Sequence, residues 1–399
     1  MRPGITHAVL LLLAGIVAVH ACHSPNKPAN QATVAEKEEL PGLGSIDALP
    51  RTYRSPADNP TTPEKVELGR LLFYDPILSG GKDVACATCH HPDFGYAENI
   101  DLSIGVNGIG LGEKRRFNQG NNIPFTKRNS QSLLNTAFNG IGTDGQYMPE
   151  EAPMFWDLRA KGLEEQAAMP IKTFEEMRGH GFSEEHITEE VVKRVNGIAQ
   201  YRQLFKTVFP ESSTITLTDI TKALGAFQRS LTAVNSRFDQ FMRGDRSALT
   251  EREREGMQLF IQSGCARCHS GPMLSDFKSH VLGAPDNEKL PVSDSGIERS
   301  YSFRTPTLRN LRFTRPYMHS GKIQSLNEVL FFYEDLHGKP LRNPNVDRTQ
   351  LDPLAAAVRV EFKDISAIVE FLNTLNDADY DKKVPASVPS GLPVGGYIR

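Results

Sequence analysis

Several things are scarce in this chain. Neither sign of charge is in excess: 45 Lys and Arg stand against 48 Asp and Glu, a net charge of −3. That balance leaves no electrostatic footprint for a nucleic-acid partner. After residue 21 no apolar run approaches the roughly 20 residues that a membrane-spanning helix needs, so no later segment is a candidate span. Alternating strand patterns are almost missing as well, which argues against a sheet-based fold. Tryptophan occurs once and cysteine five times in 399 residues. What remains is ordinary soluble-protein material, 39% hydrophobic and 23% charged, long enough for two domains.

The few cysteines are not scattered. Four of the five lie in Cys86-Ala87-Thr88-Cys89-His90 and Cys265-Ala266-Arg267-Cys268-His269. Each string is the attachment signature of a c-type haem, with two thioethers to the vinyl groups and an adjacent imidazole on iron. Thiols three residues apart on one turn reach both vinyls while the next residue points at the metal. A single copy could be a redox dithiol or half a zinc site. A zinc site would need all four thiolates to converge, and Cys86 and Cys265 stand 179 residues apart. The expectation is two covalently bound c-type haems, with His90 and His269 as proximal ligands.

Residues 1–22 read as an export signal, with Arg2 before an apolar core at 8–19. The fifth cysteine, Cys22, follows directly. It resembles a bacterial lipoprotein acceptor, although His20 is unusual two residues before it. Either a lipidated Cys22 anchors the protein to a membrane, or ordinary cleavage nearby leaves a spare thiol. Both place the protein outside the cytoplasm, in the periplasm. Residues 23–45 are polar and rich in Pro, Ala and Glu, as expected of a disordered tether.

Beyond the tether the expected fold is all-α: two cytochrome c-like domains, each around one haem, with long irregular loops. The boundaries fall at 46–243, 244–385 and a tail at 386–399. Thr62 and Pro63 open a helix to Tyr74, and Thr250 with Glu253 opens another by a capping box. Gly69-Arg70-Leu71-Leu72-Phe73 echoes Gly256-Met257-Gln258-Leu259-Phe260 at the same place before each motif. Apolar residues at helical spacing run through 217–238 and again through 364–375. Long Gly- and Pro-bearing loops fill 99–129 and 283–304.

At this point the sequence resembles a known family, the bacterial dihaem cytochrome c peroxidases and MauG. The resemblance runs from about Thr62 to Asp377. It rests on Phe155-Trp156-Asp157-x-Arg159, Leu163-Glu164-Glu165-Gln166-Ala167 with Pro170, Glu176-Met177, Phe303-Arg304-Thr305-Pro306-Thr307-Leu308-Arg309-Asn310 and Pro316-Tyr317-Met318-His319-x-Gly321. It implies an enzyme whose N-terminal haem is the hydrogen peroxide site and whose C-terminal haem stores or relays electrons. Glu176 then matches the distal carboxylate that moves a proton between peroxide oxygens, a general acid–base task. Gln166 lines the same pocket. Trp156, which by itself would read as core, matches a bridge between the haems. Asn129 matches the side-chain ligand of a calcium ion, with Thr314 and Pro316 giving backbone carbonyls; oxygen donors suit calcium.

Two departures from the peroxidases matter. A histidine that caps the peroxide haem follows Ser-Ile-Gly in those that need reductive activation; here Ser103-Ile104-Gly105 is followed by Val106, which cannot ligate iron. His91 and His180 are the remaining nearby imidazoles, and His91 is discounted because it directly follows His90. At the second haem the family's Met is replaced by Tyr333, as in MauG, where spacing alone reads a core tyrosine. Met318, His319 and His337 are the rivals, with His337 ranked second. A phenolate stabilises ferric and higher states, whereas a thioether favours ferrous iron. The leading expectation is therefore a MauG-type enzyme acting with an external redox partner: a small cytochrome, a copper protein or a protein substrate. The alternatives are a plain cytochrome c peroxidase and a dihaem electron-transfer cytochrome with no substrate.

Overall fold

The computed structural model of the protein describes residues 45–398. The export segment, Cys22 and the tether up to residue 44 lie outside the described residues. The helices are α1 (Pro63–Tyr74), α2 (Cys86–Cys89), α3 (Gly162–Lys172), α4 (Glu184–Gly197), α5 (Ala199–Val208), α6 (Leu217–Ser230), α7 (Arg237–Met242), α8 (Glu251–Gln262), α9 (Leu326–Asp335), α10 (Pro353–Ala356) and α11 (Ile365–Asn373). Three antiparallel ribbons of two or three residues a strand decorate the loops: β1 (Gly108–Ile109) with β2 (Arg116–Phe117), β3 (Pro153–Met154) with β4 (Ala160–Lys161), and β5 (Ser279–Val281) with β6 (Ser302–Arg304). The fold is all-α with much irregular chain, as expected. Among the described residues no helix is long and apolar enough to cross a membrane.

The short sequence echo before each motif marks one helix crossing built twice. α1 packs on α6 and α8 packs on α11. A Cβ on Gly69 would meet the Ala223 carbonyl oxygen at 2.0 Å, and one on Gly256 would meet that of Ala367 at 1.9 Å. Four residues on, Phe73 packs on Phe227 with ring centroids 5.0 Å apart, and Phe260 on Phe371 at 5.4 Å. Each glycine lets the backbones touch, and each phenylalanine pair fills the next turn of the crossing. Gly69→Ala and Gly256→Ala are each expected to lower the unfolding free energy by about 1–3 kcal/mol or more, because backbone rather than a side chain must give way. Chemical denaturation followed by circular dichroism checks this.

The helix starts follow the sequence closely. Thr62 accepts the Lys65 N–H at the start of α1, and Thr250 and Glu253 cap each other's backbone N–H groups at α8. At α9 Ser325 accepts the Glu328 N–H, but the Glu328 carboxylate turns back to the Gln324 N–H at 2.9 Å. The helical spacing through 217–238 does not give one helix. α6 ends at Ser230, and α7 starts after a new capping box between Ser236 and Asp239. Asn135 causes the break. Its N–H donates to the Leu231 carbonyl at 2.8 Å, its Nδ2 donates to the Ala233 carbonyl and its Oδ1 accepts the Ala233 N–H at 2.7 Å.

The first and last described segments cross over. Ile46, the second described residue, is buried in the core formed by α8 and α11 and pairs with Gly271. Residues of the C-terminal tail return to the core formed by α1 and α6. Val388 is buried there, the Ser390 hydroxyl donates to Asp75 at 2.6 Å, and the Gly395 N–H donates to the Tyr74 carbonyl at 2.7 Å. Thr88, inside the first Cys-x-x-Cys-His string, donates to the Gly395 carbonyl at 2.7 Å.

Candidate active site

Both Cys-x-x-Cys-His strings line one cavity of about 610 Å³. Their local geometry is the same. The His90 N–H donates to the Cys86 carbonyl at 3.0 Å and the His269 N–H to that of Cys265 at 2.9 Å, so each string winds one turn. The imidazole Nδ1 of His90 lies 3.0 Å from the Tyr96 carbonyl, and that of His269 lies 3.0 Å from the Leu274 carbonyl. A carbonyl only accepts, so each Nδ1 carries the proton and each Nε2 keeps its lone pair. Burial holds both imidazoles below their usual pKa, hence neutral, and neutral imidazole is the form that binds a metal.

The donor set therefore fits two c-type haems: paired free thiols and one ligating nitrogen, twice, on the wall of one cavity. The zinc alternative fails the same test. Among the described residues, the one group of three or more His, Cys, Asp or Glu side chains close enough to share a metal is Cys268, Asp276 and His280, which holds a single thiol. His280 is already clamped between Asp276 at 3.0 Å and Asp352 at 2.9 Å. The Asp276 carboxylate, with Cys268 and Asp352 also beside it, raises the imidazole pKa, so it is a cation rather than a ligand.

Glu176 sits on a π-helical turn, Phe174–Arg178, just after α3; such turns recur at functional sites. Glu176 is half-buried and lines the cavity. Burial pushes its pKa up to about 7 against the opposing charge of Arg159. Gln166 and Pro170 lie one helical turn apart on α3 and line the same cavity. The neighbouring loop presses directly on this turn. The Val106 N–H donates to the Glu176 carbonyl at 3.1 Å, and a Cβ on Gly105 would stand 2.3 Å from that oxygen. Val106 is buried in the core and does not line the cavity.

The other imidazoles near this end point elsewhere. His180 bonds Asn122 at 3.1 Å and stacks edge-on to Phe174, and His91 packs on Phe94; neither lines the cavity. The sequence did not single out Glu98. It is fully buried, 3.8 Å from Arg115, and burial pushes its carboxyl up to about 7. Arg115 in turn donates to the Ile104 carbonyl at 2.5 Å and the Gly105 carbonyl at 2.7 Å. The pair pins the loop that supports Glu176. Glu98 lies in a polar loop with no periodicity, so no sequence signal could have revealed it.

Trp156 is carried on the hairpin between β3 and β4, where Phe155 and Leu158 are held at φ +64° and +60°. Non-glycine residues at such angles are strained, and they persist where surrounding structure over-determines them. The indole N–H donates to the Asn129 carbonyl at 3.0 Å, and the Trp156 carbonyl accepts the Arg304 N–H at 2.8 Å. The next residue after Asn129, Ser130, lies 3.2 Å from His90 Nδ1 through its hydroxyl. Trp156 thus lies on a short bonded route from the first motif toward the second half. Its ring also meets His319 edge-on at 6.5 Å.

Asn129 donates its side-chain N–H groups to the carbonyls of Ile100 at 2.8 Å and Asp101 at 3.1 Å, which turns its Oδ1 away as an open acceptor. Thr314 and Pro316 line the cavity with it. Tyr333, on α9, is half-buried in the cavity wall beside the second motif. Burial and the neighbouring Cys265 and Cys268 push its hydroxyl well above the usual phenol value, so no protein group stabilises a phenolate there. His337, the second-ranked rival, is exposed. It contacts the Val358 carbonyl and Arg359 and does not line the cavity. Met318 and His319 do line it; His319 stacks on Phe303 at 3.6 Å.

Comparison with known proteins agrees with this geometry. Residues 63–247 match the family described as di-haem cytochrome c peroxidase. The methylamine utilization protein MauG of Methylorubrum extorquens is 33% identical over 331 residues, covering 81% of this chain and 83% of that protein. The cytochrome c551 peroxidase of Nitrosomonas europaea is 33% identical over 344 residues, covering 84% and 86%. A crystal structure of a MauG-like protein associated with microbial copper homeostasis superposes with a TM-score of 0.66 at 27% identity, covering 82% of this chain and 95% of that one. The dihaem peroxidase BthA of Burkholderia thailandensis, at 22% identity and a TM-score of 0.64, shares the fold, covering 85% and 92%.

Proposed function

The chain belongs to the di-haem cytochrome c peroxidase family that includes MauG, and from that membership we propose an exported, MauG-like enzyme whose Glu176 works on hydrogen peroxide beside His90. It is a dihaem oxidoreductase acting on peroxide with a redox partner. Cys86 and Cys89 would hold one haem with His90 on its iron; Cys265 and Cys268 would hold the other with His269 and Tyr333. When bound, the haems would supply the iron redox chemistry: reaction with peroxide at the His90 site and storage of an oxidising equivalent at the His269 and Tyr333 site.

The observation that carries the reading is Glu176. Burial pushes its carboxyl pKa up to about 7, in the wall of the cavity that His90 also lines. A group of that pKa can take a proton from one peroxide oxygen and return it to the other, which is what heterolysis demands. Gln166, which lines the same cavity, would orient the same oxygens by hydrogen bonding. Trp156 supports exchange of electrons between the halves. Asn129, Thr314 and Pro316 offer oxygen donors for a calcium ion completed by water. Tyr333 favours the MauG-like form over a plain cytochrome c peroxidase. An external protein then supplies the two electrons that peroxide reduction consumes.

The test is a peroxide-consumption assay on the haem-loaded protein with a reduced small cytochrome as donor. Turnover that saturates with peroxide is expected. A protein that carries both haems and consumes no peroxide with any donor would leave only the electron-transfer reading.

A further inference from the structure

Among the described residues five arginines are buried: Arg70, Arg115, Arg229, Arg304 and Arg309. Four have a carboxylate within 4 Å, namely Asp381, Glu98, Glu164 and Asp239 respectively. Arg304 has none. It stands at the end of β6 with 6% of its surface exposed, and its recorded partners are neutral. Nε donates to the Phe155 carbonyl at 2.8 Å, Nη2 donates to Gln131 Oε1 at 3.3 Å, and the guanidinium lies 5.9 Å from the Phe277 ring centre. Burial alone pushes its pKa down to about 10. A buried guanidinium without a counter-charge is strongly unfavourable, and Arg has no neutral form to retreat to near neutral pH.

The side chain also has donors to spare. Nη1 makes no hydrogen bond with a described residue and is not among the fully enclosed polar atoms, and Arg304 lines the haem cavity. Its backbone N–H holds the Trp156 carbonyl, and Gln131, which it bonds, lies beside His90. On the adjacent strand β5 lies His280, which shares the cavity with Cys268. The missing partner is thus an anion within the cavity, between the two motifs. Haem attached through its vinyl groups keeps two free carboxylates, and a guanidinium matches a carboxylate in geometry.

We propose that Arg304 is the binding residue for a haem propionate, pairing with it through Nη1 at the junction of the two haem sites. This rests on both motifs carrying haem. Removing the cation should stabilise the ferric form of whichever haem donates the propionate, and so identify it. In Arg304→Gln at pH 8, two haems per chain are expected. One of them should show at least a tenfold higher ferric-to-ferrous ratio at fixed potential, a fall of 59 mV for one electron, while Arg304→Lys stays within threefold of the wild type. Unmoved potentials for both haems in Arg304→Gln would overturn the assignment. Should that variant fail to fold, the crystal structure of the wild-type haem protein decides. A propionate oxygen 2.7–3.2 Å from a guanidinium nitrogen supports the pairing, and propionates all bonded elsewhere refute it. A pyridine haemochrome assay giving fewer than two haems in the wild type overturns the two-haem reading itself, a failure distinct from unmoved potentials.

Discussion

Glu176→Gln is expected to lower kcat/KM for hydrogen peroxide by about 10²–10⁴-fold, the usual worth of a positioned proton-transfer group, with both haems retained. The amide keeps the shape and the hydrogen-bonding reach of the carboxyl but cannot carry a proton. The pH dependence has a definite sign. The carboxyl must be ionised to accept the first proton, and its pKa is about 7, so the wild-type rate should rise through neutrality and level off above it. The glutamine variant should lose that limb of the profile. Stability moves the other way. A carboxyl whose pKa is raised on folding binds its proton more tightly in the native state, so native stability falls as pH rises from about 4.5 to 7. Denaturation at several pH values should show the fall in the wild type and a smaller one in the variant, where only Glu98 keeps a pKa near 7.

Tyr333→Met is the second large effect. A phenolate is a hard anionic donor that favours ferric iron; a thioether favours ferrous iron and raises the potential. Axial ligands set haem potentials over about 0.8 V, so the second haem should rise by a sizeable fraction of that range in a spectroelectrochemical titration, with the first haem little changed. Burial without any stabilising neighbour means that the iron has to be what ionises the phenol. His337→Ala should leave both potentials in place, because that imidazole is turned to Val358 and Arg359. A second haem that ignores Tyr333→Met would show that the tyrosine is only a core residue.

The helices and both haem motifs were legible because their signals are local. Thr62-Pro63, the Thr250–Glu253 box and the repeated Cys-x-x-Cys-His strings each act within one or two turns. The faint glycine and phenylalanine echo was also visible, but its cause, two equivalent helix crossings, needed Ala223 and Ala367 from distant helices. The break after Ser230 was hidden because Asn135 imposes it from almost a hundred residues away. Glu98 was silent, because a buried charge in a loop has no periodicity; Arg304 was visible only as part of a family motif, and its lack of a counter-charge lies in which partners surround it. Glu176, Gln166 and Tyr333 carried weight through family resemblance, and the structure adds their common cavity and the neutral-range pKa of Glu176.

The central claim is that two haems attached by identical motifs do different jobs, one open beside Glu176 and one closed by Tyr333. Electron paramagnetic resonance of the purified ferric protein, before and after one equivalent of hydrogen peroxide, tests it most directly. The account predicts a high-spin signal from one haem and a low-spin signal from the other, with peroxide abolishing both and leaving a long-lived two-electron-oxidised state. A wholly low-spin spectrum that peroxide leaves unchanged would contradict it.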